Sequence, residues 1–357
     1  MGQTPVVTSR ADALLSGPRG RRLCLELAEA SRESWGWPQL IWRDGSAGYP
    51  VGRFEVGDLR SSLAAEIAAT DLSGVGPAEL LAALARSVER AMYWQPADDE
   101  DQLLADDETA ALLRPVAELV VASPASRWWS RPLDAAGQHV VGWEPEHPAP
   151  RFTGARSALA RWRDAVREDE RRAAGERTAD PRDQWGEAWW STPAHDWYGL
   201  TTGAVPGSPA VPTRLPLVED TLGWSSAVSW PVQVPDAARV FEVTGPADWA
   251  DLVQLHPQEV TVLRRGTWWQ LTGWDGRWLI PDWAAVAEEW DGVHLTVDGY
   301  LSTAGRALPV DVPGPPASTL LAGFEPDVTW WLTDLPELGA PTRWRRSDDE
   351  WEHWTPV

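Results

Sequence analysis

Few side chains in this chain are suited to proton transfer or metal binding near neutral pH. Its histidines are His139, His147, His195, His256, His294 and His353. None stands three or four positions from another histidine, and none joins a carboxylate in a recognisable metal-ligand pattern, so no metal is expected. His195 is followed by Asp196, whose carboxylate would raise the imidazole's proton affinity, which makes this pair the acid–base candidate among the histidines. His294 falls in Val293-His294-Leu295-Thr296, which reads as a strand. Taken singly, each histidine also fits a structural role. Cys24, the single cysteine, lies in an apolar helical run and reads as a buried, inert thiol that forms no internal disulfide.

Two acidic runs, Asp98-Asp99-Glu100-Asp101 and Asp106-Asp107-Glu108, have the residue type for magnesium and diphosphate chemistry. No second metal motif follows them on a facing helix. Their position at helix N-termini favours capping and the helix dipole instead. No Gly-x-Ser-x-Gly nucleophile elbow is present. The glycines of 203–207 and 314–316 lack the strand-to-helix setting of a phosphate-binding loop. The chain contains no lysine; all 31 basic side chains are arginine. Schiff-base chemistry, Walker-type NTP hydrolysis and protein-kinase chemistry are therefore excluded, because each needs a lysine amine.

Tryptophan is the aromatic in excess, with 26 residues. An indole offers a large apolar face and one N–H donor, which suits a core and equally a stacked ligand. Most are expected in the core. The densest group, Trp268, Trp269, Trp274, Trp278 and Trp283, together with Tyr300, is the expected ligand-binding set. Pairs at 128–129, 189–190, 268–269 and 330–331 recur at irregular intervals, so they do not define a repeat.

Three short elements in the C-terminal half carry a resemblance. They are Arg239 within Ala238-Arg239-Val240-Phe241-Glu242-Val243, the segment Gly299-Tyr300-Leu301-Ser302-Thr303-Ala304, and Glu325. Their order resembles the Arg, Ser-Thr-Ser and Glu pattern of ADP-ribosyltransferases. The resemblance implies NAD as cofactor, with Arg239 on its phosphates. Ser302 would shape the nicotinamide pocket, and Glu325 would support an oxocarbenium-like transition state. The likeness covers about a quarter of the chain, and Ala304 stands where that family has a serine. In composition the chain also resembles proteins of high-GC actinobacteria, since residues with AT-rich codons (Lys and Asn) are missing altogether.

These residues need elements to position them. Apolar spacing and proline or acidic starts predict helices over 24–33, 57–70, 77–92 and 106–123, the last interrupted or kinked at Pro115, and over 155–177. Residues 98–101 read as a solvated linker. Short strands are expected over 39–43, 139–143, 227–234, 239–243, 268–274, 277–280, 293–298 and 328–333. Trp274-Asp275-Gly276-Arg277 reads as a hairpin turn of the Asp-Gly kind. Helices over 246–255 and 281–290 interrupt these strands. The expected fold class is α+β. A mainly helical domain spans 1–180, a Pro/Gly-rich linker or long loop 181–216, an α+β domain with a Trp-rich hairpin 217–342, and a loosely held charged tail 343–357.

The 357 residues can bury a sizeable core. The formal net charge is −22. Such a surface repels phosphate backbones and anionic membranes and is easier to match with a basic protein or a cationic ligand. No long apolar run and no basic-then-apolar N-terminus is present, so the expected location is the cytoplasm. Two readings follow. One is an accessory or interaction protein that binds a ligand or a basic partner through an acidic, Trp-bearing surface. The other is an enzyme with a Trp-lined pocket, most specifically an NAD-dependent transferase.

Overall fold

Helix starts in this protein follow its prolines and carboxylates. The computed structural model describes residues 9–31, 56–143, 152–184, 186, 188–193, 199–207, 211–221, 223–235, 237–347 and 353–357. Ser9 caps α1 (Arg10–Ser16) in a capping box with Asp12, and Pro18 opens α2 (Pro18–Ala30) immediately beyond Gly17. Then come α3 (Val56–Ala69), α4 (Pro77–Glu89), α5 (Asp99–Leu104), α6 (Asp107–Leu112) and α7 (Arg114–Ala122). Asp98 and Asp106 accept the Asp101 and Thr109 backbone N–H groups, so both acidic runs do cap helices. The first run is no solvated linker, because it opens α5, and Asp101 pairs with the buried Arg19. Residues 106–123 form two helices, the interruption falling just before Pro115. Pro115 sits in the first turn of α7, where its missing N–H disrupts no helical bond.

A 3-10 segment (Pro124–Ser130) leads to β1 (Gln138–Trp143), α8 (Ala155–Ala173), β2 (Leu200–Thr202), β3 (Ser226–Val232), β4 (Val240–Val243) and α9 (Pro246–Leu255). The chain continues through β5 (Pro257–Glu259), α10 (Thr261–Thr272), β6 (Arg277–Pro281), α11 (Trp283–Glu289), β7 (Gly292–Leu295) and α12 (Val297–Thr303). It ends with β8 (Leu308–Val310), β9 (Ala317–Thr319), β10 (Val328–Trp331), β11 (Thr342–Arg346) and β12 (Trp354–Pro356). The protein is α+β, with helices concentrated in the first part and strands in the second. No described helix is long and apolar enough to cross a membrane.

An eight-stranded sheet runs β12-β11-β3-β1-β2-β10-β7-β4, antiparallel except for the β4–β7 pair. A second sheet runs β5-β6-β9-β8. The first sheet takes β1 from the helical part and seats it between β3 and β2. Residues 181–216 supply β2, which lies centrally in that sheet between β1 and β10. The main hydrophobic cluster likewise draws on both parts, from Leu23 and Leu84 to Trp268 and Leu332.

Two expected strands differ in the structure. Residues 268–272 are helical, because Glu170 on α8 accepts the Val262 and Leu263 N–H groups at 2.6 and 3.1 Å and so caps α10 from a distance. Gly273, at φ +69°, ends that helix, so Asp275-Gly276 joins a helix to β6 and there is no hairpin. The strand at 293–298 stops at Leu295, where Thr296 turns to accept the Gly299 N–H and start α12. The tail is not loosely held where it is described. β11 pairs with β3 and β12 with β11, and Trp344 and Trp354 are buried. The expected strand at 39–43 lies outside the described residues.

Candidate ligand cavity

The elbow between α1 and α2 sets up the site. A Cβ at Gly17 would collide with the Leu301 carbonyl and the Ser302 α-carbon, so only glycine lets this elbow rest on α12. That contact aligns the start of α2 with the segment after α4, with α5 and with the turn after α12. Together they enclose a cavity of about 420 Å³. Its walls are apolar at Pro18, Met92, Pro96, Leu271 and Ala307, and polar at Gln95, Gln102 and Gln270.

Three residues that line this space carry a buried polar atom without a hydrogen-bond partner. Arg19, 2% exposed, donates one Nη to the Ser87 carbonyl at 3.0 Å and the other to Asp101, while its Nε has no hydrogen-bond partner. Asp101 Oδ1 also lacks a hydrogen bond and has only Arg22 at 3.5 Å. The Tyr93 hydroxyl is the third. Gly305, at φ +76°, lies against the Tyr93 ring, and a Cβ there would sit 2.8 Å from its Cε1.

Behind Tyr93 lie Tyr300, fully buried, and Glu219. The two tyrosine hydroxyls approach each other without reaching hydrogen-bond geometry. Burial, reinforced by the Glu325 carboxylate, raises the Glu219 pKa to about 8. The Tyr300 hydroxyl, the Gly323 N–H at 3.0 Å and Arg19 oppose that rise. Glu325 itself is held by Arg214 at 2.9 Å, and the guanidinium of Arg214 lies 5.7 Å from the Trp143 ring centre. At neutral pH Glu219, under the cavity, is thus mostly protonated.

This has a measurable consequence. A carboxyl whose folded pKa is raised contributes stability fully present below its unfolded value and lost as pH rises through the folded one. For Glu219 the window runs from the ordinary 4.5 up to about 8. Glu219→Gln, which can still accept the Gly323 N–H, is expected to flatten the fall in melting temperature between pH 5 and 8.5. It should leave the variant the more stable protein at pH 8.5. Equal slopes for the two proteins would show that Glu219 ionises normally.

The rim is cationic. Arg21, Arg90 and Arg306 line it alongside Arg19, against Asp98 and Asp101. Asp98 is taken by Arg22 at 2.8 Å and Arg21 by the exposed Asp107 at 3.1 Å. Arg306 donates to Ser16 Oγ and the Ser302 carbonyl, both at 2.9 Å, and has no carboxylate partner among the described residues. Burial, and then nearby Arg21, lower its pKa.

No protein-family model, curated protein or solved structure matches this chain. Its site is therefore read from geometry alone.

The residues singled out in the sequence fall in several places. Arg239 is half-exposed and grips Asp291 at 2.9 and 3.2 Å beside β4. Ser302 is buried and donates back to the Asp298 carbonyl at 2.8 Å. Glu325 belongs to the Arg214 pair, and no contact joins Arg239 to either. Tyr300, of the expected set, lies behind Tyr93 and does not itself line the cavity. Trp268, Trp278 and Trp283 are fully buried, and Trp269 and Trp274 are half-buried. Trp278 meets Trp268 and Trp274 edge-on at 5.0 and 4.6 Å, and Trp283 tilts against Trp249 at 6.2 Å. None of the five lines the cavity, which takes Gln270, Leu271 and Thr272 from the same helix and its end.

His294 lies on β7, buried, with Nδ1 at 2.6 Å from Glu242 and Nε2 at 3.6 Å from Asp327. His195, Asp196 and His147 lie outside the described residues. Among those described, no group of three or more His, Cys, Asp or Glu is placed to hold a metal ion. Sequence reasoning passed over Arg19, Tyr93, Glu219 and Arg306, and weighed Asp101 only as part of an acidic run read as a helix cap. One signal was available: the chain has only four tyrosines, and two of them meet here.

Proposed function

We propose that this protein binds a small anionic molecule in the cavity between α2, α5 and the turn after α12. One observation carries the reading: the Arg19 Nε, Asp101 Oδ1 and Tyr93 hydroxyl are buried without hydrogen-bond partners, and all three belong to residues lining that single cavity. An unsatisfied buried polar atom costs about 1–3 kcal/mol, and a ligand that bonds to it removes the penalty. The volume lies within the ordinary range for small-ligand pockets. Sign comes from the rim. In a chain of net charge −22, Arg21, Arg90 and Arg306 together favour a carboxylate or phosphate. The apolar walls accept an uncharged body of modest size.

The test is calorimetric titration and thermal shift with inorganic phosphate, AMP, NAD and citrate on the whole chain. At least one is expected to raise the melting temperature. At a hundredfold excess over Kd a ligand stabilises by about 2.7 kcal/mol. Arg306→Gln should weaken that ligand roughly tenfold or more, the value of a charged hydrogen bond. Tyr93→Phe should weaken it less. If no probe binds, or if Arg306→Gln leaves affinity unchanged, the reading is wrong.

A further inference from the structure

A second cavity, of about 740 Å³, opens at the other end of α4, whose 13 residues span roughly 20 Å. It lies between the start of α4, the 3-10 segment Pro124–Ser130, the stretch around Val211 and the final strand. Its surface is apolar and aromatic, with Leu81, Trp128 and Trp354 prominent. Three features set it apart. Among the described residues no carboxylate lines it, although the chain carries 53. Its two cations, Arg127 and Arg131, are exposed and have no hydrogen-bond or ion-pair partner among the described residues. Elsewhere arginines such as Arg10, Arg60, Arg114 and Arg277 are held by carboxylates. Finally, Trp354 is 7% exposed and its indole N–H is buried without an acceptor.

Two guanidinium groups without a described partner, beside an aromatic cavity that no described carboxylate lines, have a definite complement. We propose that this cavity is a separate binding site for an aromatic organic anion. Its flat hydrocarbon body rests against Trp128, Trp354 and Leu81, and its acid group is held by Arg127 and Arg131. Guanidinium groups suit such acids because their N–H donors match paired oxygens in one plane. The site is independent of the first cavity, since no residue lines both.

The test uses two dyes that share a ring system and differ in charge, 8-anilinonaphthalene-1-sulfonate and N-phenyl-1-naphthylamine. Both are titrated by fluorescence into the full chain. The sulfonate is expected to bind once per chain. The double variant Arg127→Gln, Arg131→Gln should weaken it roughly tenfold while leaving the neutral dye within about twofold. Neither arginine has a structural partner, so folding should be unaffected, and an unchanged melting curve checks this. Ala78→Trp, at an exposed position on the cavity mouth, should exclude both dyes. Arg306→Gln should change neither, which separates this site from the first. Absence of sulfonate binding, equal loss of both dyes in the double variant, or binding indifferent to Ala78→Trp would each overturn the proposal.

Discussion

Trp268→Ala is expected to lower folding stability by about 3–5 kcal/mol, the range for removing a fully buried large aromatic. The indole is completely buried, meets Trp278 edge-on at 5.0 Å and lies under the Arg264 guanidinium at 5.7 Å. Its N–H donates to the Trp189 carbonyl at 2.8 Å, so truncation also strips that acceptor of its donor. Three effects add in one direction: lost apolar burial, a cavity, and an unpaired carbonyl. Urea denaturation should show a lower midpoint with an unchanged m value. Trp269→Ala, on the same helix but half-buried, should cost much less. Were Trp268 a ligand platform rather than core, its removal would leave stability nearly intact and abolish binding. A loss under about 1 kcal/mol would therefore return the Trp-rich segment to consideration as a site.

The second large effect belongs to His294. Burial alone would depress its proton affinity, but the Asp327 and Glu242 carboxylates outweigh it and raise the pKa to about 9. At neutral pH an imidazolium therefore joins β4, β7 and the turn before β10. Leu133 adds a backbone N–H to Glu242 at 3.0 Å, and Asp327 is held in the left-handed region at φ +55°. His294→Gln leaves two carboxylates facing each other without a cation, and about 3 kcal/mol of destabilisation is expected at pH 6.

The pH dependence gives this its distinctive form. The folded pKa lies above the unfolded 6.5, so the contribution is fully present below pH 6.5 and is lost as pH rises through about 9. The gap between wild type and His294→Gln should close by about pH 10. Glu219 titrates in an overlapping interval, so the comparison is best made in a Glu219→Gln background. A gap that stays constant from pH 6 to 10 would mean that the imidazole is neutral and acts by packing alone.

Much of the secondary structure was legible, and for local reasons. Pro77 and Pro246 each stand in the first turn of a helix, as expected, where their fixed φ suits the helix and the missing N–H is not needed. Pro18 and Pro115 do the same, although the sequence reading began that first helix at 24 and placed Pro115 inside one. Asp98 and Asp106 cap helices as carboxylates before an apolar run should. The departures arose where a distant group outvoted local pattern. The Thr267-Trp268-Trp269 run favours strand by residue type, yet Glu170, nearly a hundred positions away, caps it into a helix. The charged tail lacks an apolar block, but alternation puts Trp344 inward against Ser229, to which its indole N–H donates at 2.8 Å.

The candidate cavity was hardly legible at all. Arg19 and Asp101 stand 82 positions apart, and Tyr93 meets Tyr300 from the far side of the chain. Neither tyrosine carries a local motif, and Glu219 is an ordinary carboxylate until Glu325 and burial act on it.

By itself the sequence determined the α+β class, several of the helix starts and the chemistries ruled out by the absence of lysine. These depend on residue type and on periods of a few residues, which survive without knowledge of the rest of the chain. Only the tertiary structure decided which tryptophans fill the core, which arginines lack a carboxylate, and which polar atoms are buried without a partner. Desolvation and long-range pairing set those properties, and both depend on groups brought together from distant parts of the chain.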